Sequence, residues 1–381
     1  MKIGLFGFTF DHENMGCQAL TCAFLNELQN IIKDEEIEIV DFHRDSSLGL
    51  IPELFPNMKF KICHVRIKDI SVTYLKEVKS CDIVFDETYG DGFSDIYFGN
   101  DVYLSVLVKL LCASTKTPYI FTPQTYGPFK RKPLEWLAGK AIKKADYVFA
   151  RDKVSSDYAE KISGRKVITV TDLAFALPYH VDKPKNGNRV GINISGLLWN
   201  GGFNNNTNQF HLIADYKEYC RRLIMHLLEN GYEVHLIPHV TKSSDEGKVL
   251  QDGDYPACLD LHKLFPDTIL APCFEDPYSA KNYIAQMDFF IGARMHSTIG
   301  AFSANVITIP FAYSRKFRGL YENLDYSFYV DGTVQGTDEC LERTLRWIRE
   351  SDLLKEKQQV ALLSIEQKMN TFRNNLKIII K

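Results

Sequence analysis

At 381 residues the chain exceeds one ordinary core and is sized for two domains of about 150–200 residues each. Its 45% hydrophobic and 24% charged side chains exclude a disordered or fibrous chain. Its 45 basic against 48 acidic residues leave a net charge of −3, without the positive field of a general nucleic-acid binder.

From the start, residues 2–8 form a short apolar run ended by Asp11, His12 and Glu13, which reads as a buried first strand rather than a secretory leader. No run reaches the roughly 20 apolar residues of a membrane-spanning helix. Nine cysteines without a Cys-x-x-Cys pair argue against a disulfide framework and a thiolate zinc site. The expected location is therefore cytoplasmic.

Strand-length apolar runs and amphipathic stretches then alternate: 18–32, 37–42, 82–85, 102–112, 119–122 and 133–144. Strands apolar throughout imply parallel sheets covered by helices on both faces. Residues 177–188 are polar and rich in Pro, Gly and Asn, which marks a domain boundary. The alternation resumes with strands at 189–194, 233–238, 288–292 and 306–310, and helices at 210–230, 280–287 and 298–303. The expected fold is α/β: two doubly wound, Rossmann-like domains facing a cleft, a GT-B-like architecture. Residues 1–180 form the first domain, on the acceptor side, and 188–350 the second, on the donor or anion side. The tail, 351–381, is an amphipathic helix carrying Leu354, Val360, Leu363, Ile365, Met369, Phe372 and Leu376. Packing across the domains is preferred for it over a membrane-surface role.

The chemistry concentrates at strand ends. The strand at 288–292 delivers Arg294 and His296 into a turn before a small-residue helix. Free N–H groups at that start, capped by Ser297 or Thr298, favour an anion, and Arg294 can grip a carboxylate or phosphate with two parallel hydrogen bonds. His296 supplies an adjacent acid/base. The next strand leads to Tyr313, Arg315 and Lys316, which brings more positive charge to the same rim. In the first domain, Asn14 and Gly16 lie in the loop into the first helix, which has neither a dinucleotide fingerprint nor a phosphate-loop ending. Further polar strand ends follow at 86–95, 122–128 and 150–155.

His235 and His239 share a strand, about 13 Å apart, too far for one metal, although His239 at the strand's end can face the cleft. Asp252-Gly253-Asp254 is read as an acidic loop. No metal is expected.

Together these segments resemble the polysaccharide pyruvyltransferase family over about residues 1–330. Asn14-Met15-Gly16-Cys17-Gln18-Ala19, Gly90-Asp91-Gly92-Phe93-Ser94-Asp95, Pro123-Gln124-Thr125-Tyr126-Gly127-Pro128-Phe129, Arg151-Asp152 with Ser155, and Arg294-Met295-His296 followed by Tyr313 and Lys316 are similar to its motifs in order and spacing. Tyr89 stands where the family usually has a second glycine, and Thr125 replaces a common serine. The resemblance implies transfer of pyruvate from phosphoenolpyruvate to two hydroxyls of a sugar, on a lipid-linked or polymeric glycan of the cell envelope. His296 and Arg294 would be catalytic. Arg294, Lys316, Ser297 and Arg151 would hold phosphoenolpyruvate. Asn14, Gly16, Asp91, Asp95, Gln124 and His239 would hold the acceptor. No cofactor is needed beyond phosphoenolpyruvate as co-substrate, and the glycan acceptor leaves peripheral membrane association open. The alternatives are a GT-B glycosyltransferase using a nucleotide sugar and, from another class, a non-catalytic glycan-binding protein.

Overall fold

The computed structural model describes residues 1–33, 35–43, 47–64, 73–95, 101–182, 184–202, 208–241 and 252–381, without the side chains of Thr73, Asp101, Arg315 and Lys316. By contact the chain falls into two units. Unit 1 comprises residues 1–11, 20–173 and 367–381, and unit 2 residues 12–19 and 174–366.

In chain order, unit 1 carries β1 (Lys2–Phe6), α1 (Met15–Ile31, whose first residues belong to unit 2), β2 (Ile37–His43), α2 (Ile51–Leu54), β3 (Met58–His64), α3 (Thr73–Ser80), β4 (Ile83–Asp86), α4 (Asp101–Cys112), β5 (Tyr119–Gln124), α5 (Lys132–Lys144), β6 (Tyr147–Ala150), α6 (Lys153–Ser163) and β7 (Ile168–Thr169). Its strands form one parallel sheet in the order β3-β2-β1-β4-β5-β6-β7. Burial on both faces explains the uninterrupted apolar runs: all four residues of β4 and all six of β5 are buried.

Unit 2 carries β8 (Arg189–Asn193), α7 (Gly196–Trp199), α8 (Tyr216–Glu229), β9 (Glu233–Leu236), α9 (Asp254–Leu264), β10 (Ile269–Leu270), α10 (Pro277–Ala285), β11 (Phe289–Gly292), α11 (Met295–Ser303), β12 (Ile307–Ala312), α12 (Arg315–Glu322), β13 (Val330–Asp331) and α13 (Thr337–Arg349). Its parallel sheet runs β10-β9-β8-β11-β12-β13. Strand order reverses between β1 and β4 in unit 1 and between β8 and β11 in unit 2. The carboxyl ends at such a reversal are where open α/β sheets bind ligands.

Residues 12–19 join unit 2 because Met15 is buried in a core with Ile237 and Phe290. Its N–H donates to the His239 carbonyl at 3.1 Å, and Asn14 bridges to Val240.

The last helix, α14 (Ser351–Ile380), buries Leu354, Gln358, Ala361, Ile365, Met369, Phe372 and Leu376, one stripe at spacings of three and four. Val360 and Leu363, expected on that stripe, are 59% and 67% exposed, and the buried places between fall to Gln358 and Ala361. The Gln358 side chain accepts from Thr308 N–H and donates to the Phe302 and Val306 carbonyls within unit 2. Phe372 packs on Phe149 in unit 1 at 5.2 Å. Among the described residues no helix is long and apolar enough to cross a membrane.

Candidate active site

At the β8/β11 reversal Asn193 ends β8, and Arg294 follows β11 as the cap residue of α11. The Asn193 side chain ties the two strands' ends together: its Oδ1 accepts from Arg294 N–H at 2.9 Å, and its Nδ2 donates to Asp254 and to the Ile237 carbonyl. Asp254 opens α9 and is fully buried. Its carboxylate accepts from Gly196, His239 and Val240 N–H at 2.8, 3.0 and 3.1 Å, and from Arg294 Nε and Nη2 at 3.0 and 2.8 Å. A charge taken this far from water persists only with such complete pairing.

Arg294 is therefore not the open two-pronged clamp expected of it. It is 8% exposed, and its Nε and Nη2 fork is spent on Asp254, with Nη2 also donating to the Asp252 carbonyl. Burial opposes its charge, but Asp254 more than offsets this, so the guanidinium pKa is raised. Nη1 is left as the nitrogen with no hydrogen bond among the described residues, 3.8 Å from Asp252 Oδ2. Asp252-Gly253-Asp254 is thus more than a loop, since its last residue begins a helix and anchors the site's arginine.

His296 lies half-buried in the first turn of α11. Gly16 is packed against it so closely that a Cβ on Gly16 would stand 2.4 Å from His296 Nδ1. Asn14 holds this approach by accepting the Gly16 N–H on Oδ1 at 2.9 Å. Asn14 and Gly16 thus shape the histidine's surroundings.

His239 is 5% exposed, and among the described residues its Nδ1 has no hydrogen-bond partner. Burial, then the charges of His296 and Arg294, drive its imidazole down to about 3, so it is neutral near pH 7. Ser297 does not cap α11: the cap is Arg294, and the serine hydroxyl donates back to the Arg294 carbonyl at 2.7 Å. The helix starts at Met295, three residues earlier than the small-residue run suggests. Lys316 lies in α12, with its side chain outside the described residues.

The other expected residues lie in unit 1. Arg151, after β6, is buried against Asp172, Nη1 to Oδ2 at 3.0 Å. Asp91 is half-buried and near enough to act on its charge. Gln124 is fully buried and donates to the Asp86 carbonyl at 2.8 Å. Asp95 accepts from Lys130 and Arg131 N–H at 2.8 and 3.0 Å. Burial works against its charge, but these N–H groups outweigh it and hold the carboxyl below its usual range. Gln124 Nε2 and Asp95 Oδ2 are thereby committed to the protein's own backbone, while Gln124 Oε1 and Asp95 Oδ1 are buried with no hydrogen-bond partner among the described residues.

Glu87, at the β1/β4 reversal, lies in the polar strand end at 86–95 with nothing in the sequence to single it out. It is 1% exposed, and among the described residues its Oε1 has no partner. Burial, then the charges of Asp172 and Asp86, push its carboxyl well above the usual range against the pull of Arg151. Thr88 and Tyr89 follow with φ of 45° and 58°. Such backbone strain costs on the order of 1–3 kcal/mol per residue and gathers at functional sites. Two left-handed non-glycine residues in succession have no sequence signal. Asp254 did have one, in its Asp-Gly-Asp.

The family model described as polysaccharide pyruvyl transferase matches residues 14–315. No curated protein sequence matches the chain. Among solved structures, UDP-GlcNAc 2-epimerase from Neisseria meningitidis bound to UDP-GlcNAc is similar at a TM-score of 0.58 and 10% identity, with 100% of both chains covered. UDP-GlcNAc 2-epimerase from Methanocaldococcus jannaschii is similar at 0.55 and 11% identity, with 92% of each chain covered. At such identities the likeness shows the GT-B fold alone.

Proposed function

The chain belongs to the polysaccharide pyruvyl transferase family, and on that premise we propose that it transfers pyruvate from phosphoenolpyruvate to two hydroxyls of one sugar. The product is a cyclic ketal on a lipid-linked or polymeric glycan, in cell-envelope or exopolysaccharide biosynthesis. The observation that carries this reading is the cluster at the β8/β11 reversal, where Asp254 fixes Arg294 and Gly16 packs on His296.

Phosphoenolpyruvate presents a phosphate and a carboxylate, so its site needs fixed cations. Arg294 meets it through Nη1, the guanidinium nitrogen not spent on Asp254, and Lys316 is the second cation assigned to it. Arg151 is left out, because Asp172 holds it. The His296 imidazolium gives its proton to the methylene carbon, and one sugar hydroxyl attacks the cationic C2. Inorganic phosphate leaves, the second hydroxyl closes the ketal, and the two hydroxyl protons return to the imidazole and to phosphate. Arg294 stabilises the charge that develops on the departing phosphate. His239, down at about 3, is too weak a base to carry these protons and suits a hydrogen-bonding role.

The test is incubation with phosphoenolpyruvate and candidate lipid-linked glycans, following phosphate release and product mass. Phosphoenolpyruvate at a hundred times its dissociation constant should also stabilise the fold by about 2.7 kcal/mol. Stabilisation by nucleoside diphosphates instead, with no phosphate released, would replace this reading with a nucleotide-sugar glycosyltransferase.

A further inference from the structure

Unit 2 carries a cavity of about 440 Å³ that the chemistry above does not use, a volume within the range of small-molecule sites. Trp199, at the end of α7, and Phe210, Leu212 and Ile213, in the segment leading into α8, give it an apolar wall. Asn208 and Asp215 give it a polar side. The segment is fixed by its own hydrogen bonds. The Asn208 amide exchanges two with the Leu212 backbone, at 2.7 and 2.8 Å, and Ile213 and Ala214 N–H donate to the Gly332 carbonyl at 2.7 and 3.1 Å. A cavity with walls held this way is largely pre-formed.

Its place ties it to the cluster at the β8/β11 reversal. Phe210 packs edge-on against Tyr313 at 4.9 Å, and Tyr313, after β12, is close enough to Arg294 to act on its charge. Two aromatic rings thus connect the cavity to the arginine. Asp215 and Lys217 are the charged residues of the lining, one of each sign, and over the Trp199 ring lie the Lys217 ammonium at 5.0 Å and the Arg221 guanidinium at 5.9 Å. What opposes an anion is the Asp215 carboxylate, which caps the first turn of α8 by accepting the Glu218 N–H at 3.1 Å and so meets the positive end of that helix itself. Ile213 is 63% exposed, an apolar side chain presented to solvent beside the aromatic wall. The complementary ligand is uncharged, with an apolar face and an edge of hydroxyls.

We propose that this cavity binds a neutral pyranose ring of the glycan acceptor, with the CH face against Phe210 and Ile213 and the hydroxyl edge toward Asn208 and Asp215. Naming the ring as part of the acceptor rests on the transferase reading. Binding of the ring does not.

The probes are methyl glycosides of neutral hexoses, with uridine monophosphate and methyl glucuronide as the charged comparisons. Each is titrated into the full chain and followed by saturation-transfer NMR and by tryptophan fluorescence, with Trp199→Phe identifying the reporting indole among the three tryptophans. At least one neutral glycoside should bind at about millimolar affinity, as its size allows. Phe210→Ala and Ile213→Asp should each weaken it about tenfold or more. The exposure of Ile213 lets that variant carry the test if Phe210→Ala fails to fold. The proposal is overturned if no neutral glycoside binds, if both variants bind as the parent does, or if only a charged probe is displaced by the variants. Ring binding without pyruvyl transfer would refute the proposed function and leave this site standing, and transfer with no such binding would do the reverse.

Discussion

Replacing Gly16 with alanine places one methyl group where the structure has no room for it. The new carbon would lie 2.4 Å from His296 Nδ1 and 2.6 Å from its Cβ and Cγ, well inside van der Waals contact, so the imidazole must shift. Two opposing terms set the effect on stability. Alanine in the first turn of α1 favours the helix by about 1 kcal/mol, while overpacking a filled site costs about 1–3 kcal/mol. The net expectation is a loss of about 0–2 kcal/mol, read by urea unfolding. Turnover should suffer more, because a catalytic group displaced by about 1 Å loses about 10²-fold, read as phosphate release from phosphoenolpyruvate. His296→Ala would keep its own Cβ at 2.6 Å, so the partner variant in a double-mutant cycle is His296→Gly. In that background Gly16→Ala should turn stabilising, a coupling of about 1–3 kcal/mol. If Gly16→Ala stabilises equally in both backgrounds, the two residues do not touch and the placement of His296 is wrong.

Asp254→Asn leaves the buried Arg294 cation without its counter-charge and should cost about 3–5 kcal/mol in urea unfolding. A loss below about 1 kcal/mol would mean that Arg294 is solvated and the pair is not buried. Glu87 and His239 should give opposite pH signatures. Glu87 keeps its proton in the folded state above its ordinary 4.5, so the fold loses stability as pH rises from there toward the raised value, by up to about 1.4 kcal/mol per pH unit. Glu87→Gln should therefore stabilise increasingly, relative to the parent, as pH rises above 4.5. His239, at about 3 against an ordinary 6.5, refuses a proton that the unfolded chain accepts, so stability falls as pH drops from 6.5 toward 3. His239→Gln should flatten that fall, and variants running parallel to the parent across pH would show that neither group has the environment described.

What could be read from the chain follows from what is local. The strands β4, β5 and β11 announce themselves because each carries an unbroken apolar run, at 83–85, 119–121 and 289–291, as burial on both faces favours. The tail helix shows its period, but period alone does not say that Gln358 rather than Val360 faces inward. The site is harder for a related reason. Arg294 looked like a free clamp because its partner, Asp254, lies 40 residues away, and an Asp-Gly-Asp in isolation is common. The fit of Gly16 to His296 joins two distant stretches, and only the fold brings them together. Glu87 is polar at a strand end like many solvated residues. Its burial comes from packing that no spacing records.

Helix α14 has a consequence for synthesis on the ribosome. Its first half belongs to unit 2, and residues 367–381 complete unit 1, where Phe372 covers Phe149 and Arg373 pairs with the buried Glu27 at 2.9 Å. Unit 1 is translated first but cannot close its core until all of residues 174–366 have been made, a wait of roughly 10–40 s at ordinary elongation rates. During that interval the hydrophobic seat of the helix around Phe149 is open to a chaperone or to another nascent chain. A peptide of residues 367–381 supplied in trans should then bind a stalled chain ending near residue 180.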